Sequence, residues 1–203
     1  MDYAKLKIKP LSNQQIKEAA DQVRIKFWNN KIPIDIENIL EIGLNISIIP
    51  SPGLQDRGNI DSFISSDWKN VYVDNDRYMN DRHYRRIRFS LAHELGHFVL
   101  HKDIFESLKI DSIEDYYSFY NKCPQEQYNF LEAQANKFAG YLLIPPDLLK
   151  PYKDKYLASA RKKLVGTALE GAVDDIDLTG VIAADIADIF NVSVQAMEIG
   201  LKG

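Results

Sequence analysis

Apolar residues recur at three- and four-residue intervals along much of the chain, a spacing typical of amphipathic helices. The first such stretch predicts a helix from about Ser12 to Asn29, with Ser12 and Gln15 forming a capping box. The second predicted helix ends at Gly43, a residue suited to a left-handed cap. The helices predicted after the first cover about residues 33–43, 124–143, 146–169, 178–190 and 193–201.

A different pattern lies between the second and third of these helices. Three short apolar segments, at about 45–49, 60–65 and 70–73, are separated by turn-forming residues and predict strands. We therefore expect an α+β fold in which a small, mostly antiparallel sheet is embedded in helices. The acidic and aromatic segment 103–123 is compatible with a short helix, a lid, or both.

The chain divides by pattern into two regions. We expect a core with N-terminal helices over residues 1–150, and a helical region packed on it over residues 151–203. The last two predicted helices, joined by a tight turn at Asn191, have helix–turn–helix-like spacing, which raises the possibility of DNA binding. Residues 171–203 carry six acidic residues and one basic residue, hence a net charge of −5, whereas phosphate contacts need positive charge. No direct nucleic-acid binding is expected.

The composition is that of an ordinary soluble globular protein, with 45% hydrophobic and 27% charged residues among 203. No apolar run approaches the roughly 20 residues needed to cross a bilayer, so no membrane partner is expected. Cys123 is the only cysteine, which excludes an intrachain disulfide and favours a reducing, cytoplasmic location. The formal net charge of −4 also argues against general nucleic-acid binding.

Residues 93–97, His-Glu-Leu-Gly-His, carry the clearest chemical signal. On a helix, His93 and His97 lie about 6 Å apart along the axis and about 40° apart around it, so both imidazoles can reach one metal ion. Two neutral imidazoles suit zinc. Glu94 points beside such a metal, where a general base can take a proton from water. The predicted helix that carries these residues begins as early as Asp81.

A catalytic zinc site needs one further protein ligand. His101 lies about 12 Å from His93 along a continuous helix, too far for one ion, so we assign it to packing or to the rim of the site. A carboxylate from another helix fits better, and the downstream candidates are Glu106, Glu114, Glu126 and Glu132.

Glu132 stands out among these carboxylates because small residues share its helix face. Ala135 and Ala139 would let this helix lie close against the metal helix, and Asn136 could orient a ligating histidine. From spacing alone, a solvated surface acid is an equally good interpretation of Glu132.

The segment 88–97 (RFSLAHELGH), together with 132–139 (EAQANKFA) and 142–145 (LLIP), resembles the ImmA/IrrE family of zinc metallopeptidases. Weaker similarities extend the resemblance over about residues 32–201. It implies a gluzincin-like, or zincin-like, core with His93, His97 and Glu132 as ligands of Zn²⁺ and Glu94 as the catalytic acid and base. The gap between the two helical motifs is rather long.

The resemblance also implies a biological role. It predicts a zinc-dependent endopeptidase whose protein substrate is a helix–turn–helix repressor, cleaved to release stress-response or mobile-element genes. The alternative is a metal-binding interaction protein of a toxin–antitoxin or phage-immunity module that acts without proteolysis. For the enzyme, we expect the substrate backbone to pair with residues 70–73 as an edge strand. The residue that stabilises the oxyanion is not identifiable from the sequence.

Overall fold

Most of the chain is helical around one three-stranded sheet in a computed structural model, which describes residues 6–110 and 112–203. The α+β class expected from the sequence is confirmed. A π-helical turn, Ile39–Gly43, follows α2, and a 3₁₀ turn, Asp81–His83, precedes α5. The helices are α1 (Asn13–Phe27), α2 (Ile36–Asn38), α3 (Leu54–Gly58), α4 (Asn75–Tyr78), α5 (Tyr84–Leu100), α6 (Lys102–Leu108), α7 (Ile113–Lys122), α8 (Gln125–Leu143), α9 (Pro146–Leu164), α10 (Asp175–Phe190) and α11 (Val194–Lys202).

The ends of the helices show which of the predicted caps form in the structure. The predicted capping box forms at the start of α1, where the Ser12 side chain accepts a hydrogen bond from the backbone N–H of Gln15. Asn191 adopts the left-handed conformation (φ 52°) in the tight turn between α10 and α11. The left-handed cap predicted at Gly43 is wrong: the chain turns at Asn45 (φ 56°) instead. Gly43 is small for another reason, because a Cβ there would lie 3.0 Å from the Phe27 ring.

The sheet contains β1 (Ser47–Ser51), β2 (Ser62–Ile64) and β3 (Asn70–Asp74) in the order β1-β3-β2. β3 runs parallel to β1 and antiparallel to β2. The sheet is therefore mixed rather than mostly antiparallel. The chain between β1 and β3, which contains α3 and β2, makes the long crossover that parallel neighbours require.

β3 lies in the middle of this sheet, so the expectation that residues 70–73 form an edge strand is wrong. The short apolar segment that predicted β3 as a strand does not reveal how many neighbours the strand has. Val71 and Val73 are fully buried. β2 is the edge strand that lies against α5.

Arg88 ties the C-terminal helices to the middle of the fold. Its buried guanidinium donates hydrogen bonds to the backbone carbonyls of Phe190 (3.2 Å), Asn191 and Ile34. The first two bonds satisfy carbonyls at the end of α10 that have no partner within the helix, and the third joins Arg88 to the segment before α2. The predicted division between residues 150 and 151 falls inside α9 and stays a prediction.

Over the part of the chain that the structure describes, no single helix is long and apolar enough to cross a membrane. Taken together, α10 and α11 would meet such a test by length and composition, but they are bent by 113° with respect to each other.

Candidate metal centre

The site lies where α5 crosses α8, and small residues make this crossing close. A Cβ at Gly96 would lie 3.1 Å from the Cα atom and 3.2 Å from the carbonyl oxygen of Ala135. Ala135 and Ala139 are fully buried, as expected for small residues on the face of α8 that meets α5. The close approach brings a side chain of α8 to the histidines of α5.

Substitution of Gly96 by alanine tests this packing, with Gly140→Ala as its matched control. Both changes add a Cβ within a helix, which by itself stabilises the helix by about 0.5–1 kcal/mol. Nothing lies within 4 Å of a Cβ at Gly140, so Gly140→Ala is expected to raise the free energy of unfolding. Gly96→Ala must displace the backbone of α8, and we expect it to be about 1–3 kcal/mol less stable than Gly140→Ala.

Urea unfolding of both metal-free variants measures the difference. Equal stabilisation by the two alanines would show that the helix crossing has room for a side chain, contrary to the close contact at Gly96.

Three donor side chains converge at the crossing. The Nε2 atoms of His93 and His97 lie 3.0 Å apart, as two histidines one turn apart on α5 allow. Glu132 of α8 places Oε2 3.2 Å from His93 Nε2 and Oε1 3.5 Å from His97 Nε2. The sequence identified all three residues, and the structure brings them together in a group that could hold a metal ion.

The second ring nitrogen of each histidine also has a partner. His93 Nδ1 lies 3.0 Å from Asn136 Oδ1, the orienting contact expected from the helix spacing. His97 Nδ1 lies 3.0 Å from His101 Nδ1. His101 lies outside the donor group but is buried in direct contact with one of its members, His97. Burial lowers the pKa of His101 to about 3, so its ring is neutral near pH 7.

Glu94 lies beside the donor group and is held by β2. Its Oε1 accepts a hydrogen bond from Ser62 Oγ, and its Oε2 accepts one from the backbone N–H of Ile64, both at 3.0 Å. The side chain is buried, and this burial raises its pKa. A carboxylate with a raised pKa and a fixed position suits proton transfer. No pattern in the sequence indicated that β2 performs this role.

The electrostatics of the donor group favour a cation. Burial opposes ionisation of His93, but its hydrogen bond and charge interaction with Glu132 outweigh burial and raise its pKa to about 9. Burial likewise opposes ionisation of Glu132, yet the neighbouring imidazoles of His93 and His97 hold its pKa well below the usual range. A negative carboxylate thus faces two imidazoles, which is a suitable environment for a divalent metal.

Two tyrosines form another wall of the site. Tyr116 of α7 and Tyr128 of α8 place their hydroxyl oxygens 3.0 Å apart, next to Glu94 and Glu132. Burial raises the pKa of both hydroxyls, so both keep their protons. The sequence had identified an aromatic segment but not which of its residues would reach the site.

A cavity of about 300 Å³ opens in front of these groups. Residues 59–62, at and just before β2, line one side, and α5, α7 and α8 contribute the others. The charge of Asp61 in this wall is balanced by Arg86 (2.6 Å) and Arg77 (3.4 Å). The other carboxylates in the lining of this cavity are Glu94 and Glu132.

Comparison with known proteins places this site in a family. The family model for the IrrE N-terminal-like domain of peptidase family M78 matches residues 78–202, which include α5, α8 and the whole donor group. A comparison with curated proteins gave no match. The matched residues make up more than half of the chain, and the expected family is the one found. The chain belongs to the ImmA/IrrE (M78) peptidase family, which supports a function of the metallopeptidase type.

Proposed function

We propose that the protein is a zinc-dependent endopeptidase in which His93, His97 and Glu132 bind the metal and Glu94 acts as general base. The observation that carries this proposal is the spacing of the donor atoms. Two ligands about 2.0–2.1 Å from zinc at a tetrahedral angle are about 3.3 Å apart. The two imidazole nitrogens are 3.0 Å apart, and the Glu132 carboxylate places Oε2 3.2 Å from His93 Nε2 and Oε1 3.5 Å from His97 Nε2, separations close to this value.

The same geometry favours a catalytic site over a structural one. Three protein ligands leave the fourth tetrahedral position for water or substrate, whereas structural zinc sites use four protein ligands. A cavity lies beside the donor group, and Glu94 borders it. A purely structural metal would have no use for a buried carboxylate in that place, which also counts against a role without proteolysis.

The mechanism assigns one task to each group. Bound zinc would polarise the scissile carbonyl and lower the pKa of a water molecule toward 7. Glu94 takes the proton from the attacking water and passes it to the leaving amine. Ser62 and Ile64 keep the carboxylate in position through their two hydrogen bonds. Such general acid–base catalysis contributes about 10²–10⁴-fold to the rate.

We assign stabilisation of the developing oxyanion to the tyrosine pair. In the contact between Tyr116 and Tyr128, one hydroxyl donates to the other, which leaves the second hydroxyl with a proton to donate. Both side chains border the cavity beside Glu94. A preplaced donor in a partly desolvated site is an effective way to stabilise a negative oxygen.

The substrate backbone is proposed to lie along β2 instead of β3. Asp61 O accepts from Asp74 N, and Ser65 N donates to Asn70 O, both at 2.9 Å, so these residues face β3. Backbone groups alternate in direction along a strand, and those of Ser62 and Ile64 therefore face the opposite way. An extended peptide beside Ser62 would place its backbone next to Glu94, in the manner of strand addition at a sheet edge.

A helix–turn–helix repressor remains our proposed substrate, and the charge of α10 supports it. Asp174, Asp177 and Asp185 are exposed, while Asp175 and Asp188 pair with Arg161 and Arg85. A basic DNA-binding protein would be attracted to these exposed acids. A count of the acidic residues in this segment thus overstates its negative charge, because two of them pair with arginines from other helices. The charge of the segment is still negative.

Metal removal tests the proposed activity. Purified protein is incubated with a candidate helix–turn–helix regulator, before and after treatment with a chelator. We expect cleavage by the untreated protein, loss of cleavage after chelation, and recovery when one equivalent of zinc is added. Binding of the regulator without cleavage, both with and without zinc, would instead support the interaction-module alternative.

A further inference from the structure

The ring of His97 begins a hydrogen-bonded chain that leads away from the donor group. His97 Nδ1 lies 3.0 Å from His101 Nδ1, and His101 Nε2 lies 3.3 Å from Oε1 of Gln134. The Gln134 amide nitrogen donates to the backbone carbonyl of Lys9 at 3.0 Å. His97, His101 and Gln134 are each at least 94% buried. These hydrogen bonds connect α5, α8 and the segment before α1 in the interior of the protein.

The backbone carbonyl of Lys9, at the end of this hydrogen-bonded chain, determines which atom donates and which accepts in every hydrogen bond of the chain. A backbone carbonyl can only accept, so the Gln134 amide nitrogen must face Lys9 and its oxygen must face His101. His101 Nε2 therefore carries a proton, and in a neutral ring His101 Nδ1 is then an acceptor. His97 Nδ1 must donate to that acceptor, which leaves the lone pair of His97 on Nε2. This is the nitrogen that faces His93 and Glu132.

We propose that His101 and Gln134 are positioning residues that hold His97 in the one tautomer and ring orientation able to bind a metal through Nε2. The proposal rests on the proposed function, because it takes His97 as a metal ligand. It goes beyond the packing or rim role that the sequence suggested for His101.

The two histidine ligands differ in how they are held, and this difference supports the proposal. His93 is 14% exposed and uses a single partner, Asn136. His97 is more deeply buried and uses three successive groups, with the Phe105 ring 4.9 Å from its own. Buried polar groups in proteins almost always have hydrogen-bond partners. Each ring nitrogen in this hydrogen-bonded chain has such a partner.

Zinc affinity, measured by competition with a chromophoric chelator, tests the proposal. His101→Leu keeps a buried side chain but cannot accept from His97 Nδ1, and we expect zinc binding to weaken by about 10–100-fold. His101→Asn can still accept through Oδ1, and its affinity should lie between those of His101→Leu and the parent. His83→Leu removes a histidine at the other end of α5 and should leave the affinity unchanged.

The stability of the metal-free variants distinguishes a positioning role of His101 from a purely structural one. If His101 only filled space, zinc affinity would follow the order of stability. Leucine fills the apolar part of the pocket better than asparagine, so the metal-free His101→Leu protein should be at least as stable to urea as His101→Asn. Zinc affinity should nevertheless be higher in His101→Asn. Equal affinity of the two variants, or parental affinity in His101→Leu, would overturn the proposal.

Gln134→Leu provides an independent arm, because it removes the group that fixes the direction of the chain. It should also weaken zinc binding, and adding it to His101→Leu should cause little further loss, since both changes break the same chain. Fully additive losses would show that the residues act separately and would overturn the proposal.

His93→Ala in the same titration separates this proposal from the metal assignment. If His93→Ala binds zinc as well as the parent, or the parent binds none, the proposed function and the positioning role fail together. If His93→Ala binds weakly while both His101 variants and Gln134→Leu bind like the parent, only the positioning role fails.

Discussion

Glu94→Gln is expected to slow hydrolysis strongly while leaving the fold and the bound metal intact. Glutamine matches glutamate in shape, and its amide can keep both contacts of the parent side chain. The amide oxygen accepts from Ile64 N–H, and the amide nitrogen donates to the Ser62 hydroxyl, which can turn to accept. The amide cannot take a proton from water, so the rate should fall by about 10²–10⁴-fold.

The measurement compares regulator cleavage and metal content in the same preparations. Glu126→Gln makes the same chemical change at an exposed position on α8 and should match the parent in both. Parental cleavage by Glu94→Gln would remove this residue from the mechanism. Loss of metal from this variant would show that Glu94 is itself needed for binding.

The donor group shows what sequence spacing can predict. His93 and His97 follow from one helical turn, because helix geometry is the same wherever it occurs. Glu132 could be chosen over other carboxylates because Ala135 and Ala139 marked a helix face that packs closely, and the structure buries both and places Ala135 against Gly96 of α5. The choice also drew on resemblance to a family.

The features that the sequence did not predict depend on contacts between distant segments of the chain. The pairing of β3 with two neighbours follows from how the strands assemble, and no local pattern reports strand order. The contacts of Glu94 with β2 and of His101 with Gln134 join residues about 30 positions apart. Tyr116 was one of several aromatic residues in its segment, and only the fold of α7 against α8 selects it.

The proposed chemistry of the site thus depends partly on the spacing of residues within a helix and partly on contacts made by tertiary packing. In the proposed mechanism, metal ligation would use residues whose relation is mostly set within helices, while general-base positioning and oxyanion stabilisation would use residues that tertiary packing brings together. Changes at the ligands should therefore act on metal content, and changes in the surrounding residues should act on rate or affinity without removing the metal entirely.

Glu132→Ala should cause the largest loss of metal among changes on α8. The substitution removes the only acidic member of the donor group and leaves two imidazoles, fewer than the three protein ligands of a catalytic zinc site. We expect the zinc affinity to fall by more than the roughly 10–100-fold that follows loss of an outer partner. Glu132→Gln keeps a neutral oxygen and should bind zinc better than Glu132→Ala but less well than the parent.

Elemental analysis of protein purified without added metal, followed by chelator competition, measures this effect. Glu126→Ala lies on the exposed part of the same helix and should retain the parental metal content. Circular dichroism distinguishes loss of a ligand from loss of the helix, because α8 should persist in the metal-free variant through its buried apolar face. Full metal retention in Glu132→Ala would exclude Glu132 as a ligand, and the third donor would then have to come from elsewhere in the chain.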